Sequence, residues 1–385
     1  MSVYNGFIGS LGTVRSVNQS CEHTINWYTE QASGNPKVPT RLQYTPRVER
    51  FVVLGDGPIR ALFAQDGRCF AVSGDSFYEV FANRTAILRG TAVTDGDPAT
   101  IISNGTGGFQ LGVTSGSKFY VYNLTTNVIA EVTTGIEPVQ TCAFTDGYAL
   151  VLQKDSNTFA FSALEDMTSW DPLDVNQIST VSDQVVTMLV SHREIFLLGS
   201  QSSSVWANVG DADNPFQPIP GVQIAQGSGA AFGAVNLDNT VYFLGGNEVG
   251  NRIVYRFKGY TPERISNHAV EYILNNYPRV DNAIAWSYSE EGHAFYVLFL
   301  PAPPDPTQPI RHTTLVYDVS TGEWHERALW DAYREKWTPH VGRCHCVAFS
   351  QGLHLVGDRQ SPGIYLQTLK PASGGLVQDE IVVVT

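Results

Sequence analysis

The stretch LVYDVSTGEWHERAL, residues 315–329, alternates apolar with polar residues, breaks at Ser320-Thr321-Gly322, and resumes at Trp324. Leu315, Tyr317 and Val319 fall on one side of an extended chain, Val316 and Asp318 on the other. A period of two reads as strand. The break fits a hairpin loop whose glycine takes a positive φ at low steric cost. Beyond it, Trp324, Glu326 and Ala328 alternate with Glu323, His325 and Arg327. A lone hairpin is marginal in water, so its apolar face needs a cover. An indole brings a large apolar area to that contact.

Seven stretches follow one pattern: an apolar strand, a turn that is often Asp-Gly, a second strand, a glycine- or serine-rich turn, a third aromatic strand and a weaker fourth. They begin near residues 59, 99, 139, 185, 229, 282 and 343, at intervals of 40, 40, 46, 44, 53 and 61 residues. Four strands at such a spacing predict an all-β chain folded as a β-propeller of about seven four-stranded blades. Six or eight blades remain compatible with the pattern. The two long intervals contain insertions. SNHAVEYILNNY, 266–277, carries Val270, Ile273, Leu274 and Tyr277 at helical spacing, with Ser266 or Asn267 as its cap. The proline-rich PAPPDPTQP, 301–309, and the segment 330–342 lengthen the other. The expected organisation is an N-terminal arm at 1–46, a docking segment, followed by a propeller over 47–385 with insertions at 266–278 and 301–312. RVERFVVLG at 47–55 is placed to complete the last blade and close the ring; EIVVVT at 380–385 is the alternative.

The opening hairpin becomes the third and fourth strands of the sixth blade, with Trp324 covering a neighbouring blade. Tyr120, Phe161, Trp206 and Tyr255 are its expected counterparts, read as blade packing rather than as a ligand cage.

Composition narrows function. The chain is 43% hydrophobic and 16% charged, which suits a globular fold rather than disorder. The formal net charge is −13 without a Lys/Arg cluster, which argues against tight, sequence-independent binding of nucleic acid. Five scattered cysteines do not form a disulfide framework and suit free thiols in cytosolic assembly. The first residues lack the pattern of a secretory leader. The longest apolar run, AFYVLFLP at 294–301, is too short to span a bilayer.

Motifs that carry chemistry are scarce. Glu290-Glu291 reads as a solvated turn, because neighbouring residues of an extended chain point apart. Asp211 and Asp213 in GDADNP lack the glycine and distal glutamate of a calcium loop. In Cys344-His345-Cys346 the cysteines share one strand face and His345 takes the other, so the three cannot meet on one ion. SALEDMTSWDPL at 162–173 lacks the Asp-x-Gly core of sialidase aspartate boxes. No GxSxG elbow or phosphate-binding loop occurs. No catalytic residue, cofactor or metal ligand is therefore assigned, and an enzyme is not expected.

Six stretches in order resemble the packaged-DNA stabilisation proteins of short-tailed bacteriophages, the tail hub or nozzle. They are RTAILRGTAV at 84–93, SALEDMTSWDPLDV at 162–175, SHREIFLLGSQSSSVWANVGDADNPFQPIPGVQIAQG at 191–227, FKGYTPERISNHAVEYIL at 257–274, EEGHAFYVLFLP at 290–301 and VYDVSTGEWHERA at 316–328. The resemblance covers most of 47–370. It implies a virion tail protein, assembled in the host cytoplasm as a homo-oligomeric ring of six copies below the portal and its adaptor. It implies contacts with the adaptor and with other tail proteins, whether needle, fibre or spike, and DNA retained and then passed without tight binding. Pro303, Pro304, Pro306, His268 and Glu271, on the insertions, are the expected subunit contacts. Two other readings stay open: a glycan-binding or glycan-cleaving propeller, and a kelch-like interaction module suggested by FLGG at 243–246.

Overall fold

Trp324 lies on the outermost strand of a four-stranded sheet and is 1% exposed. In this computed structural model the described residues are 24–31, 40–55, 57–179, 183–246, 250, 252–301, 313–331 and 335–369. The sheet that carries Trp324 runs Ile284–Glu290, His293–Phe299, Thr314–Asp318 and Glu323–Glu326, each strand antiparallel to the one before. Its last turn is held from within. The Asp318 carboxylate accepts from the Ser320 amide and the Thr321 hydroxyl, each at 2.9 Å, and Gly322 takes φ +74°. That glycine brings the chain back so that Trp324 stands opposite Tyr317. Leu315, Tyr317 and Trp324 pack on one side against Tyr242, Leu244 and Val254 of the preceding blade. Val316 turns to the other side with Val297 and meets Val356 of the following one. The indole Nε1 donates to the Ile265 carbonyl at 2.8 Å, so the polar end of the ring is satisfied where it is buried.

The same unit recurs to make seven blades. Six are continuous in sequence, at 59–91, 100–132, 139–177, 185–218, 227–264 and 284–326. The seventh is assembled from Gly342–Ala348, Leu353–Asp358 and Gly363–Thr368, with Arg47–Val53 as its outer strand. Arg47 pairs with Thr368 and Val53 with Gly363, so the strand nearest the start of the propeller closes the ring. The alternative strand, 380–385, lies outside the described residues. The innermost strands of all seven blades approach one another in succession, the last touching the first. Seven buried clusters are present among the described residues, and each spans one pair of neighbouring blades. The hydrophobic core is thus distributed over seven seams. Phe51 of the closing strand joins Ile59, Cys69 and Leu355 at the seam between the first and last blades.

The insertion near residue 270 is a helix, His268–Asn276. Asn267 caps it by accepting from the Val270 amide at 2.9 Å, and Ala269, Val270, Ile273 and Leu274 are buried in the cluster that holds Trp324. Before the ring, Trp27–Gln31 and Thr40–Tyr44 form a hairpin. Ile25 bridges Glu326, and the Asn26 side chain exchanges bonds with Ala328 at 2.9 and 3.0 Å. The outer edge of the sixth blade is therefore covered, which removes a row of free backbone groups open to other strands.

Two substitutions test the seam as the unit of stability. Trp324→Ala removes a buried indole from one seam and should cost about 3–5 kcal/mol, read as a lower urea midpoint with an unchanged m-value. At Gly227 an added Cβ would lie 2.2 Å from the Gly199 carbonyl oxygen and 2.5 Å from the Gln201 amide, both backbone of the adjoining blade. Gly227→Ala should therefore cost about 1–3 kcal/mol through overpacking, checked by the same titration.

Candidate functional site

In four blades the innermost strand does not pair evenly with its neighbour. The register slips between Ile59 and Ala61, Val139 and Thr141, Val185 and Thr187, and Gly342 and Cys344. Each slip leaves one extra residue: Arg60, Gln140, Val186 and Arg343. A bulge bends its strand and re-aims the extra side chain. Gln140, Val186 and Arg343 line one cavity of about 650 Å³ at a mouth of the ring. Below it, a second cavity of about 640 Å³ is lined by all seven innermost strands, with Ile102, Cys142, Met188, Val235, Trp286 and Arg60 among them. Phe232 lines both. It belongs to an excursion in the fifth blade, where the inner strand is split into Gly227–Ser228 and Ala234–Leu237. Its carbonyl accepts from the Ala285 amide at 2.7 Å, which pins the excursion to the sixth blade.

Charge concentrates at this mouth. Arg60 is 1% exposed and fully engaged. It donates to the Asp97 carbonyl at 2.7 Å, the Gly74 carbonyl at 3.0 Å, the Ser115 hydroxyl at 2.6 Å and Asp95 at 3.1 Å. It thereby ties the first blade to the loop that enters the second. Arg343 donates to the Gly96 carbonyl at 2.9 Å, tying the last blade to the same loop. Burial lowers the pKa of both guanidiniums from the usual arginine value, with Asp95 and Asp97 opposing the shift. Lys154, Arg279 and Arg359 complete the cationic lining, with Asp97, Asp155 and Asp281 among them. Sequence inspection misses this collar because its members come from separate turns, far apart in the chain. The only early signal is an arginine second in an apolar strand, at Arg60 and Arg343.

The residues singled out from the sequence lie elsewhere. Tyr120, Phe161, Trp206, Tyr255 and Trp324 are all buried, distributed over four seams. Tyr120, Trp206, Tyr255 and Trp324 face the preceding blade, whereas Phe161 faces the following one and meets the cluster of Trp206. His268 is exposed at the start of the helix. Glu271 accepts two bonds of 2.6 Å from Arg264 and one of 2.7 Å from Ser266. Pro303, Pro304 and Pro306 lie outside the described residues.

Cys344 and Cys346 face the first blade, where Cys346 Sγ stands 3.9 Å from Cys69 Sγ. His345 faces the sixth blade, stacked on Trp286 at 5.6 Å and 3.1 Å from His354. Asp211 accepts from the amides of Asp213 and Asn214, a closed turn. Glu290 departs from the solvated turn expected of it. It is half-buried beside Gln367 at 3.4 Å, and burial pushes its carboxyl pKa up. Among the described residues no group of three or more His, Cys, Asp or Glu could hold a metal ion, and no helix is long and apolar enough to cross a membrane.

His345 and His325 are both held neutral, with pKa values pushed down to about 3 chiefly by burial. The unfolded chain binds protons on these groups near pH 6.5 while the folded chain does not. Their contribution is therefore intact above about pH 6.5 and is lost as pH falls toward 3. At pH 5 each such histidine should cost the fold about 2 kcal/mol. His345→Phe should make the drop in unfolding free energy between pH 8 and pH 5 smaller by about that amount, measured by urea titration at the two pH values.

Comparisons with known proteins agree with this architecture. The extracellular domain of BT4673 from B. thetaiotaomicron, described as a hybrid two-component system, is similar over 86% of this chain and 40% of its own, at 9% identity and a TM-score of 0.52. The chain thus spans about two fifths of the length of that domain. Streptogramin B lyase is similar over 85% of this chain and 98% of its own, at 8% identity and a TM-score of 0.52. At such identities these likenesses concern the fold alone. No curated protein matches the chain. A family model described as "Bacteriophage P22 Gp10, beta-propeller" matches residues 42–370, which include the closing strand, all seven blades and the helix. The chain belongs to the bacteriophage P22 Gp10 β-propeller family.

Proposed function

We propose that the protein is a structural component of a short phage tail. In this reading six copies form a ring below the portal and its adaptor, retain packaged DNA and let it pass on ejection. The observation that carries the reading is the family match across 42–370, the whole described propeller. The virion is its place of action, and the adaptor and other tail proteins are its partners.

Physical considerations support a conduit formed between copies rather than through one propeller. The axial cavity of about 640 Å³ holds the volume of about twenty waters. A duplex, whose major groove alone is about 12 Å wide, does not fit there. DNA must then run in a lumen bounded by the outsides of several subunits. A net charge of −13 per chain makes phosphate contacts on such walls unfavourable on balance, so a moving duplex is not held.

The outer rims of the first three blades offer a surface for a neighbouring copy. Ile87, Leu88, Val128, Leu173 and Val175 are exposed on or beside the outermost strands, with Leu173 85% exposed. Apolar residues grouped on a surface mark sites of association. The exposed side of the helix, with His268 and Tyr272, and the proline-bearing insertion at 303–306 are further contacts in this reading. Glu271 contributes indirectly, because it holds the helix start to Arg264.

Imaging of assembled particles should place this chain in a six-fold ring at the tail. A protein that stays monomeric with its adaptor and is missing from particles would overturn the proposal. Leu88→Asp combined with Leu173→Asp should block ring assembly, read by light scattering, while leaving the unfolding free energy from urea titration within about 0.5 kcal/mol of the parent.

A further inference from the structure

Of the four cysteines among the described residues, three meet at the seam where the first and last blades join: Cys69, Cys344 and Cys346. Cys69 lies on the second strand of the first blade, Arg68–Ser73, and Cys346 on the innermost strand of the seventh, Gly342–Ala348. They are 277 residues apart in the chain, yet their sulfurs stand 3.9 Å from each other. Small side chains permit this approach. Ala71 follows Cys69 on the same face of its strand, Ala348 follows Cys346 in the same way, and Ala64 pairs with Cys69 within the first blade. Cys344 directs its Sγ to the Ile59 carbonyl at 4.0 Å. Both members of the close pair are buried, Cys69 completely.

We propose that Cys69 and Cys346 form a redox modification site, oxidised by a small external disulfide to a cross-link that locks the closing seam. The two sulfurs need to draw together by about 1 Å each to reach the length of a disulfide, about 2.05 Å. One cysteine, as its thiolate, attacks the external disulfide and displaces a small thiol. The other then attacks the mixed disulfide and displaces the second. The protein loses two S–H bonds and gains one S–S bond, while two electrons and two protons leave with the two small thiols. The Cys69 thiol beside it and burial hold the Cys346 thiol well above its ordinary pKa, so its thiolate is scarce. The reagent also enters only when the seam parts locally. The reaction is therefore slow. In a reducing cytoplasm the pair persists as thiols packed like small apolar groups, and in oxidising surroundings the cross-link accumulates. The closing strand completes the seventh blade by hydrogen bonds; this cross-link would join that blade to the first directly. A bond between points so distant in the chain strongly constrains the unfolded state. The site goes beyond the tail reading and is independent of it, because both thiols belong to one chain.

The full chain, first reduced, is incubated folded with bis(2-hydroxyethyl) disulfide at pH 8, then alkylated in denaturant and digested with trypsin. Mass spectrometry should find the peptide of Cys69 linked to the peptide of Cys346, and dithiothreitol should separate them. Trypsin leaves Cys344 and Cys346 on one peptide, so variants assign the partner: Cys344→Ala should keep the link and Cys346→Ala should lose it. If Cys346→Ala fails to fold, the link in Cys344→Ala still identifies Cys346. The oxidised chain should unfold in urea about tenfold more slowly than the reduced chain, or slower still. Complete alkylation of Cys69, a link from Cys69 to any other cysteine, or equal unfolding rates in the two forms would each overturn the proposal.

Discussion

Burial between neighbouring sheets is the interaction on which the molecule depends. Each blade has two apolar faces and too few strands to shield either. Leu315, Tyr317 and Trp324 need the fifth blade, and Val316 needs the seventh. Because every blade makes the same demand on both sides, the arrangement is satisfied only when the last sheet reaches the first. Pairing of Arg47–Val53 with Gly363–Thr368 completes the seventh blade, and Phe51 carries that completion into the seam with the first. Stability is thus a property of the closed circle.

This dependence explains what could be read from the chain and what could not. Strand alternation, turn residues and blade spacing are local, so the hairpin at Trp324, the capped helix and the closing strand near residue 50 are legible without coordinates. The divided faces of Cys344, His345 and Cys346 are legible for the same reason. The face to which an aromatic turns is harder: Phe161 looks the opposite way from Tyr120 although both lie on third strands, because alternation does not say which side of a sheet faces forward. The environment of Glu290 is not legible in the sequence, because Gln367, which meets it, comes from another blade.

The mouth of the ring is the least legible part, and the reason is geometric. Most of its charged residues belong to turns that look solvated one at a time. Only the circular arrangement brings Lys154, Arg279, Arg343 and Arg359 to one rim. The slips of register that aim Arg60 and Arg343 leave only a faint mark, an arginine second in an otherwise apolar strand, because a bulge shifts the alternation by a single residue. Phe232 is similar: a split inner strand at 227–237 sets an aromatic between the two axial cavities, and nothing nearby in sequence announces it.

The closing strand has a consequence for synthesis. Residues 47–53 leave the ribosome before any blade exists, yet their partner, 363–368, is among the last parts of the wheel to be made. Contacts so distant along the chain form slowly. Throughout translation the early strand waits with its backbone unpaired, and the growing array ends in two uncovered faces. A nascent chain in this condition can pair with another of its kind. Fast completion of synthesis, or a chaperone that shelters the waiting strand, therefore bears directly on how much of this protein reaches its final form.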